Sequence, residues 1–127
     1  MFDEIPFSTL IGKTLTKIEV DDYKKEMVFR CDDGTSYKLL HYQSCCESVS
    51  IEDIIGNLDD LIGSPIVMAE EIAGAEGERK DEWDDSFTWT FYKLATVKGY
   101  VTIRWYGTSN GYYSESVSFE KVVEEPK

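Results

Sequence analysis

From Phe87 to Tyr106 the chain alternates its side chains with a period of two, and this pattern constrains the fold more than any other feature. Phe87, Trp89 and Phe91 alternate with Thr88, Thr90 and Tyr92. After a turn at Val97-Lys98-Gly99, Val101, Ile103 and Trp105 alternate with Tyr100, Thr102, Arg104 and Tyr106. A helix repeats every 3.6 residues and a strand every two, so these segments are strands, and their aromatic and β-branched content agrees. Gly107-Thr108-Ser109-Asn110-Gly111 reads as a second turn. Residues 112–122 then read as a third strand with Tyr113, Val117 and Phe119 on one face, which predicts a three-strand antiparallel meander. The tail from Glu124 is expected to fray.

The same period appears earlier. Residues 14–22 place Ile18 and Val20 on one face, and residues 26–31 place Met27, Phe29 and Cys31 together. Asp32-Asp33-Gly34 links the second of these to a strand over 35–42. A three-residue loop with a left-handed Gly34 pairs Cys31 with Thr35, Phe29 with Tyr37 and Met27 with Leu39, and continues the apolar side to His41. A two-residue loop would slip the register by one and swap the faces, so the apolar pattern selects the longer loop. Residues 47–54 suggest a strand with Val49 and Ile51 inward. Asn57 is placed to cap a short helix carrying Asp59 and Asp60 in its first turn and Leu58, Leu61 and Ile62 as its apolar stripe; Gly63 and Pro65 end it. Residues 66–72 read as a strand with Ile66, Met68 and Ile72 on one face. Residues 73–85 have two glycines, dense charge and little apolar content, and read as a mobile loop. Trp83 within it is expected to anchor the loop, since tryptophan is highly buried on average.

These elements predict a mainly β (α+β) fold: a bent antiparallel sheet, sandwich or partly open barrel of seven or eight strands with one short helix plugging one end. The 127 residues read as a single domain, 1–127, and the 13% aromatic content supplies large side chains for its core. The start is acidic and has no basic, apolar leader pattern. No stretch approaches the ~20 apolar residues of a membrane span. Three cysteines, Cys31, Cys45 and Cys46, without a secretory signal suggest reduced thiols and a cytoplasmic location.

Charge is unevenly spread. Residues 1–43 carry eight acids and six bases, residues 44–85 thirteen acids and two bases, and residues 86–127 four acids and five bases. Binding to nucleic-acid phosphates or to an anionic membrane needs clustered Lys and Arg, so neither is expected. The acidic middle third suits either a solvated face or docking on a protein with a basic surface. The loop acids Glu76, Glu78, Asp81, Glu82, Asp84 and Asp85 are the candidates for such contact.

Two other clusters carry chemical potential. In His41-Tyr42-Gln43-Ser44-Cys45-Cys46-Glu47, a Cys45 nucleophile with His41 as base, oriented by Gln43 or Glu47, would make a thiol enzyme. His41 and Cys45, with Cys31, would make a soft metal site, but the paired Cys-x-x-Cys spacing of zinc modules is missing. Negative surroundings raise a thiol's pKa, and small buried cysteines are common, so a structural role is the plainer expectation. One of Cys45 and Cys46 is expected to be buried, because consecutive strand residues point apart. The second cluster is Trp105 to Ser114. Arg104, Trp105, Ser109, Asn110, Tyr112 and Tyr113, joined by His41 and Gln43, could form a pocket for a small nucleotide-like ligand, with Arg104 facing an anionic group. A well-packed hairpin turn explains the same glycines. No phosphate-cradling loop, Gly-x-Ser-x-Gly or His-Glu-x-x-His occurs, and no cofactor is implied. Adjacent acids such as Glu52-Asp53 and Glu70-Glu71 face apart in strands, which argues against a carboxylate dyad.

Taken together, His41-x-Gln43-x-Cys45-Cys46-Glu47, Ile51-Glu52-Asp53-Ile54-x-Gly56, Leu61-Ile62-Gly63, Ala69-Glu70-Glu71, Thr88-Trp89-Thr90-Phe91-Tyr92 and Ser109-Asn110-Gly111-Tyr112-Tyr113-Ser114 resemble a small uncharacterised domain family of bacteriophages and bacterial genomes. The resemblance runs from about Ile11 to about Phe119. The family pattern has Asp where this chain has Ser44. The resemblance implies no activity, but it implies a phage or mobile-element setting, hence the host cytoplasm. By analogy of context, small acidic phage proteins often act by binding, for example by blocking or sequestering parts of host defence. The expectation is therefore a non-enzymatic binding protein, its partner a host or phage protein with a basic surface, or else a nucleotide-like ligand.

Overall fold

The computed structural model describes residues 4–75 and 77–122. It contains eight strands: β1 (Leu15–Val20), β2 (Glu26–Cys31), β3 (Ser36–Leu40), β4 (Ser48–Ile55), β5 (Met68–Ala75), β6 (Ser86–Thr96), β7 (Gly99–Ser109) and β8 (Ser118–Lys121). They form two four-stranded antiparallel sheets, ordered β1-β2-β3-β8 and β4-β7-β6-β5. Neither closes into a barrel, and both contribute to one apolar core, an arrangement compatible with a sandwich. No helix among the described residues is long and apolar enough to cross a membrane.

The β2–β3 hairpin has the register that its apolar pattern demands. Phe29 faces Tyr37 and Met27 faces Leu39, Cys31 N–H donates to Thr35 at 2.8 Å, and Gly34 sits at φ +87°. That φ is costly for any residue with a Cβ. Met27, Phe29, Cys31, Tyr37 and Leu39 are all buried. The expected helix is a 3-10 turn at Leu58–Leu61, with the Asn57 side chain accepting from Asp59 N–H at 3.0 Å.

A second 3-10 turn, Phe7–Leu10, has no counterpart in the sequence reading, because four residues are too few to show a helical period. It inserts Phe7 between the sheets. The ring lies 5.0 Å from Phe119 and 6.2 Å from Phe29 on one sheet, and 4.8 Å from Tyr92 on the other. Burial of one such side chain contributes about 1.5–3 kcal/mol, so this turn ties the two layers together.

Two expectations are corrected. The meander has only two of its strands. β6 and β7 pair along their whole length, but residues 112–117 form no strand, and β8 crosses to pair with β3 of the other sheet. The second neighbour of β7 is β4. Val117 and Phe119 are buried as their spacing suggested; the backbone partner is different, because ladder hydrogen bonds are not sequence-specific. On β5 the buried position is Ala69; Glu71, across the ladder from Tyr92, is exposed, as is Ile72, and Met68 is half-buried. β5 is an edge strand, where apolar alternation is weakly enforced. On β6, where the alternation defined two faces without choosing between them, the buried Tyr92 and Leu94 enter the core and Trp89 lies on the outer face against Tyr106.

Candidate functional site

The His41–Glu47 corner forms where β3 ends and the chain turns toward β4. Its centre is the Glu47 carboxylate, whose side chain is 0% exposed. Backbone N–H groups of Cys45 and Ser44 donate to it at 2.8 and 2.9 Å, the Gln43 amide at 3.2 Å, and His41 Nε2 at 2.8 Å. The Cys45 N–H lowers the Glu47 pKa most, burial opposes it, and His41 and the Ser44 N–H add to the lowering, which brings it to about 2. His41 Nδ1 donates to the Ser116 carbonyl at 2.6 Å. Both partners of the ring are acceptors, so a proton on each nitrogen satisfies both.

This geometry leaves neither ring nitrogen facing a thiol. Cys45 and Cys46 are exposed and joined by a disulfide, which corrects the expectations of reduced thiols and of one buried member. The corner is a bend rather than a strand, so the two side chains are not forced to opposite faces. Cys31 is free and buried at the far end of the β2–β3 hairpin, roughly 20 Å away at about 3.3 Å per residue. Burial pushes its thiol pKa up. Among the described residues no three His, Cys, Asp or Glu side chains are grouped to hold a metal ion.

The acidic segment before β6 is the second region. It lies as a strap across the outer face of the β4-β7-β6-β5 sheet. The Trp89 indole N–H donates to the Glu78 carbonyl at 3.0 Å, Lys80 N–H donates to Tyr106 Oη at 3.1 Å, and Tyr106 Oη donates to Asp84 at 2.7 Å. A Cβ on Gly77 would collide with the Trp89 ring, so the strap enters flush against the indole. The two bases turn toward the sheet: Arg79 lies 5.7 Å from the Phe87 ring, and Lys80 lies 5.5 Å from the Tyr106 ring and pairs with Glu52. Glu78, Asp81, Glu82 and Asp85 are exposed and Asp84 is half-buried. Glu76 and the tail from Glu124 lie outside the described residues. Trp83, expected to anchor the strap, is instead 81% exposed. The anchors are Trp89 and Tyr106, which the sheet already holds, so Trp83 is free to stand out.

The residues from Arg104 to Tyr113 do not converge. Trp105 is buried in the core, whereas Arg104 lies on the opposite face of β7, its guanidinium 4.6 Å from the Trp89 ring and 5.1 Å from Phe91. Asn110 Oδ1 accepts from Tyr112 N–H at 3.0 Å, and Tyr112 is 89% exposed. Ser109 holds Glu115 and Gly111 N–H. His41 and Gln43 are committed to Glu47. Gly107 does permit a close approach, but the approaching backbone is the chain's own: a Cβ there would lie 2.8 Å from the Glu115 carbonyl oxygen. The sequence reading missed Glu115. Its signal was available, since Glu115 is the first acid after Asp85. It is buried and accepts from Thr88 at 2.7 Å.

The fold and these regions define a mainly β, two-sheet domain with a pinned acidic strap and a buried, fully bonded carboxylate corner. The chain belongs to the DUF7448 family, a domain of unknown function, whose profile matches residues 8–119. No curated protein and no solved structure matches it.

Proposed function

We propose that this protein is a binding protein rather than an enzyme, and that the strap over residues 77–85 is its partner-facing surface. The observation that carries this reading is the sorting of the strap's side chains. Arg79 and Lys80 turn down onto Phe87, Tyr106 and Glu52, while Asp81, Glu82, Asp85 and the Trp83 ring face outward. An exposed tryptophan set among exposed acids suits a partner with an apolar pocket inside a basic rim. Tryptophan is enriched at binding hot spots, and the charges steer encounter. Pinning at Trp89 and Tyr106 reduces the ordering entropy that a free loop would lose on binding.

The phage or mobile-element setting implied by the motifs makes a host protein, such as a component of host defence, the partner to seek. The nucleotide-like alternative has no comparable support. Its proposed residues are dispersed, and Arg104 is stacked on two aromatic rings. A thiol enzyme at His41 and Cys45 would need a ring nitrogen and a thiol that both have other partners.

The test is affinity capture from host lysate with the wild-type chain and two variants, Trp83→Ala and Asp81→Lys/Glu82→Lys. A retained protein should be released by raising salt and lost from both variants, with the fold unchanged by circular dichroism. Capture that is insensitive to salt and to both variants would remove the strap from consideration.

A further inference from the structure

Cys45 and Cys46 stand in the bend between β3 and β4, both exposed and joined to each other. In the chain-entropy account, a disulfide stabilises a fold by shortening the loops of the unfolded chain, and its effect grows with the length of chain enclosed. Neighbouring residues enclose no loop. Holding the fold together therefore does not account for this bond. Its exposure leaves it open to attack by a thiolate, and exposed disulfides are the ones that exchange readily. Cys31, the third cysteine, is buried at the far end of the β2–β3 hairpin and takes no part.

The backbone around the pair is held by groups other than sulfur. The Gln43 amide donates to the Cys45 carbonyl at 3.1 Å and to the Glu47 carbonyl. The Ser44 and Cys45 N–H groups donate to the Glu47 carboxylate at 2.9 and 2.8 Å. These bonds keep the two cysteines side by side when the sulfurs part, so closure of the disulfide stays within the chain. The disulfide adds a covalent constraint on the same peptide unit, and opening it returns rotational freedom to both side chains and to the peptide between them. That freedom acts on the Cys45 N–H, and so on Glu47. From Glu47 the contacts continue through His41 to the Ser116 carbonyl, just before β8.

We propose that Cys45–Cys46 is a reversible thiol–disulfide site whose substrate is a small dithiol, and that its redox state sets how firmly the bend holds Glu47. In the forward direction one thiolate of the dithiol attacks one of the two protein sulfurs. The protein S–S bond breaks, a mixed disulfide forms, and the other cysteine leaves as a thiolate that takes up a proton. The second thiol of the reductant then attacks its own sulfur in the mixed disulfide and releases the second cysteine, which is protonated in turn. The protein gains two electrons and two protons, and the dithiol is oxidised to its cyclic disulfide. An oxidised dithiol drives the same steps in reverse. This site is independent of the strap.

The experiment treats the full, folded chain with oxidised or reduced dithiothreitol, removes the reagent, tags free thiols with a maleimide and reads the mass. The oxidised chain should take no tag and the reduced chain two, and a second oxidation should restore the untagged monomer. Cys45→Ser should take one tag in either state, and Cys31→Ser should match the wild type. Amide hydrogen exchange at Ser44 and Cys45 should be about threefold or more faster in the reduced chain, with exchange in β6 and β7 unchanged. Two tags after oxidation, or disulfide-linked dimers in place of the monomer, would show that the pair does not close and overturn the proposal. Equal exchange at Ser44 and Cys45 in both states would remove the link to Glu47 and overturn it too. A fall in melting temperature of about 10 °C or more on reduction would make the bond a structural staple instead.

Discussion

Glu47 is buried just before β4 and Glu71 is exposed on the edge strand β5 opposite Tyr92, and their surroundings drive them in opposite directions. At Glu47 the bend at 43–46 aims two backbone N–H groups, an amide and an imidazole at one carboxylate, and its pKa falls to about 2. At Glu71 the same group meets partial desolvation and the Glu4 carboxylate, which outweigh the Tyr92 hydroxyl, and its pKa rises. The corner that looked richest in chemistry by residue type has used its groups on one another. The polar cleft lined by Glu4, Glu71, Ser86, Thr88, Thr90 and Glu115, assembled from residues distant in the chain, bonds Glu115 to Thr88 but leaves Glu71 open to solvent. Satisfied polar groups rigidify a fold, whereas unsatisfied ones leave interaction capacity for something else.

The largest expected effect comes from breaking the satisfied side. Glu47→Ala leaves His41 and two N–H groups facing a void, and the melting temperature should fall by roughly 10 °C or more. A change within 2 °C, the scale of a minor surface substitution, would mean that solvent replaces the carboxylate without loss. The pH dependence follows from the sign of the shift. The folded pKa of about 2 lies below the ordinary 4.5, so the Glu47 contribution is complete above about pH 4.5 and is lost as pH falls toward 2. Acid titration of stability should show this loss in the wild type, and Glu47→Gln should lack it.

On the unsatisfied side the sign reverses. The folded form of Glu71 keeps its proton above the unfolded value of 4.5, so its contribution is greatest below that pH and declines as pH rises through the folded value. Glu71 is exposed and solvent screens most of this effect, so Glu71→Gln, neutral throughout, should raise the melting temperature at pH 7 by about a degree and change nothing near pH 3. A loss of stability at pH 7 would show that Glu71 has a partner in solution. The smallest effect belongs to Tyr92→Phe. Removing this buried hydroxyl, whose neighbour is the Glu71 carboxylate, should shift stability by less than about 1 kcal/mol in denaturant titration, and a larger loss would show that the two groups share a strong hydrogen bond.

Much of the local structure was legible in the residues. The β2–β3 register followed from the apolar faces and Gly34, and the 3-10 turn at Leu58–Leu61 followed from Asn57 and Gly63. The strands around Phe87–Tyr106 followed from their alternation. The acidic loop was also visible, but not its attachment. Trp83 was expected to anchor it because tryptophan usually does; Trp89 and Tyr106 do so instead, because the outer sheet face already presents them in fixed positions. For the cleft, the Ser86, Thr88 and Thr90 series was readable as a polar face, but its meeting with Glu4, Glu71 and Glu115 joins residues far apart in the chain.

The sequence by itself determined where strands run, where they turn and which side chains share a face, because these depend on neighbours within a few residues and on backbone geometry. Tertiary structure decided which face of β6 is buried, that β8 crosses to β3, that His41 is held between Glu47 and Ser116, and that Glu71 lies near Glu4. A period of two defines two faces without saying which one meets the other sheet. Ladder hydrogen bonds form between any two extended backbones. Both choices depend on the packing of the whole core, so no segment carries them alone.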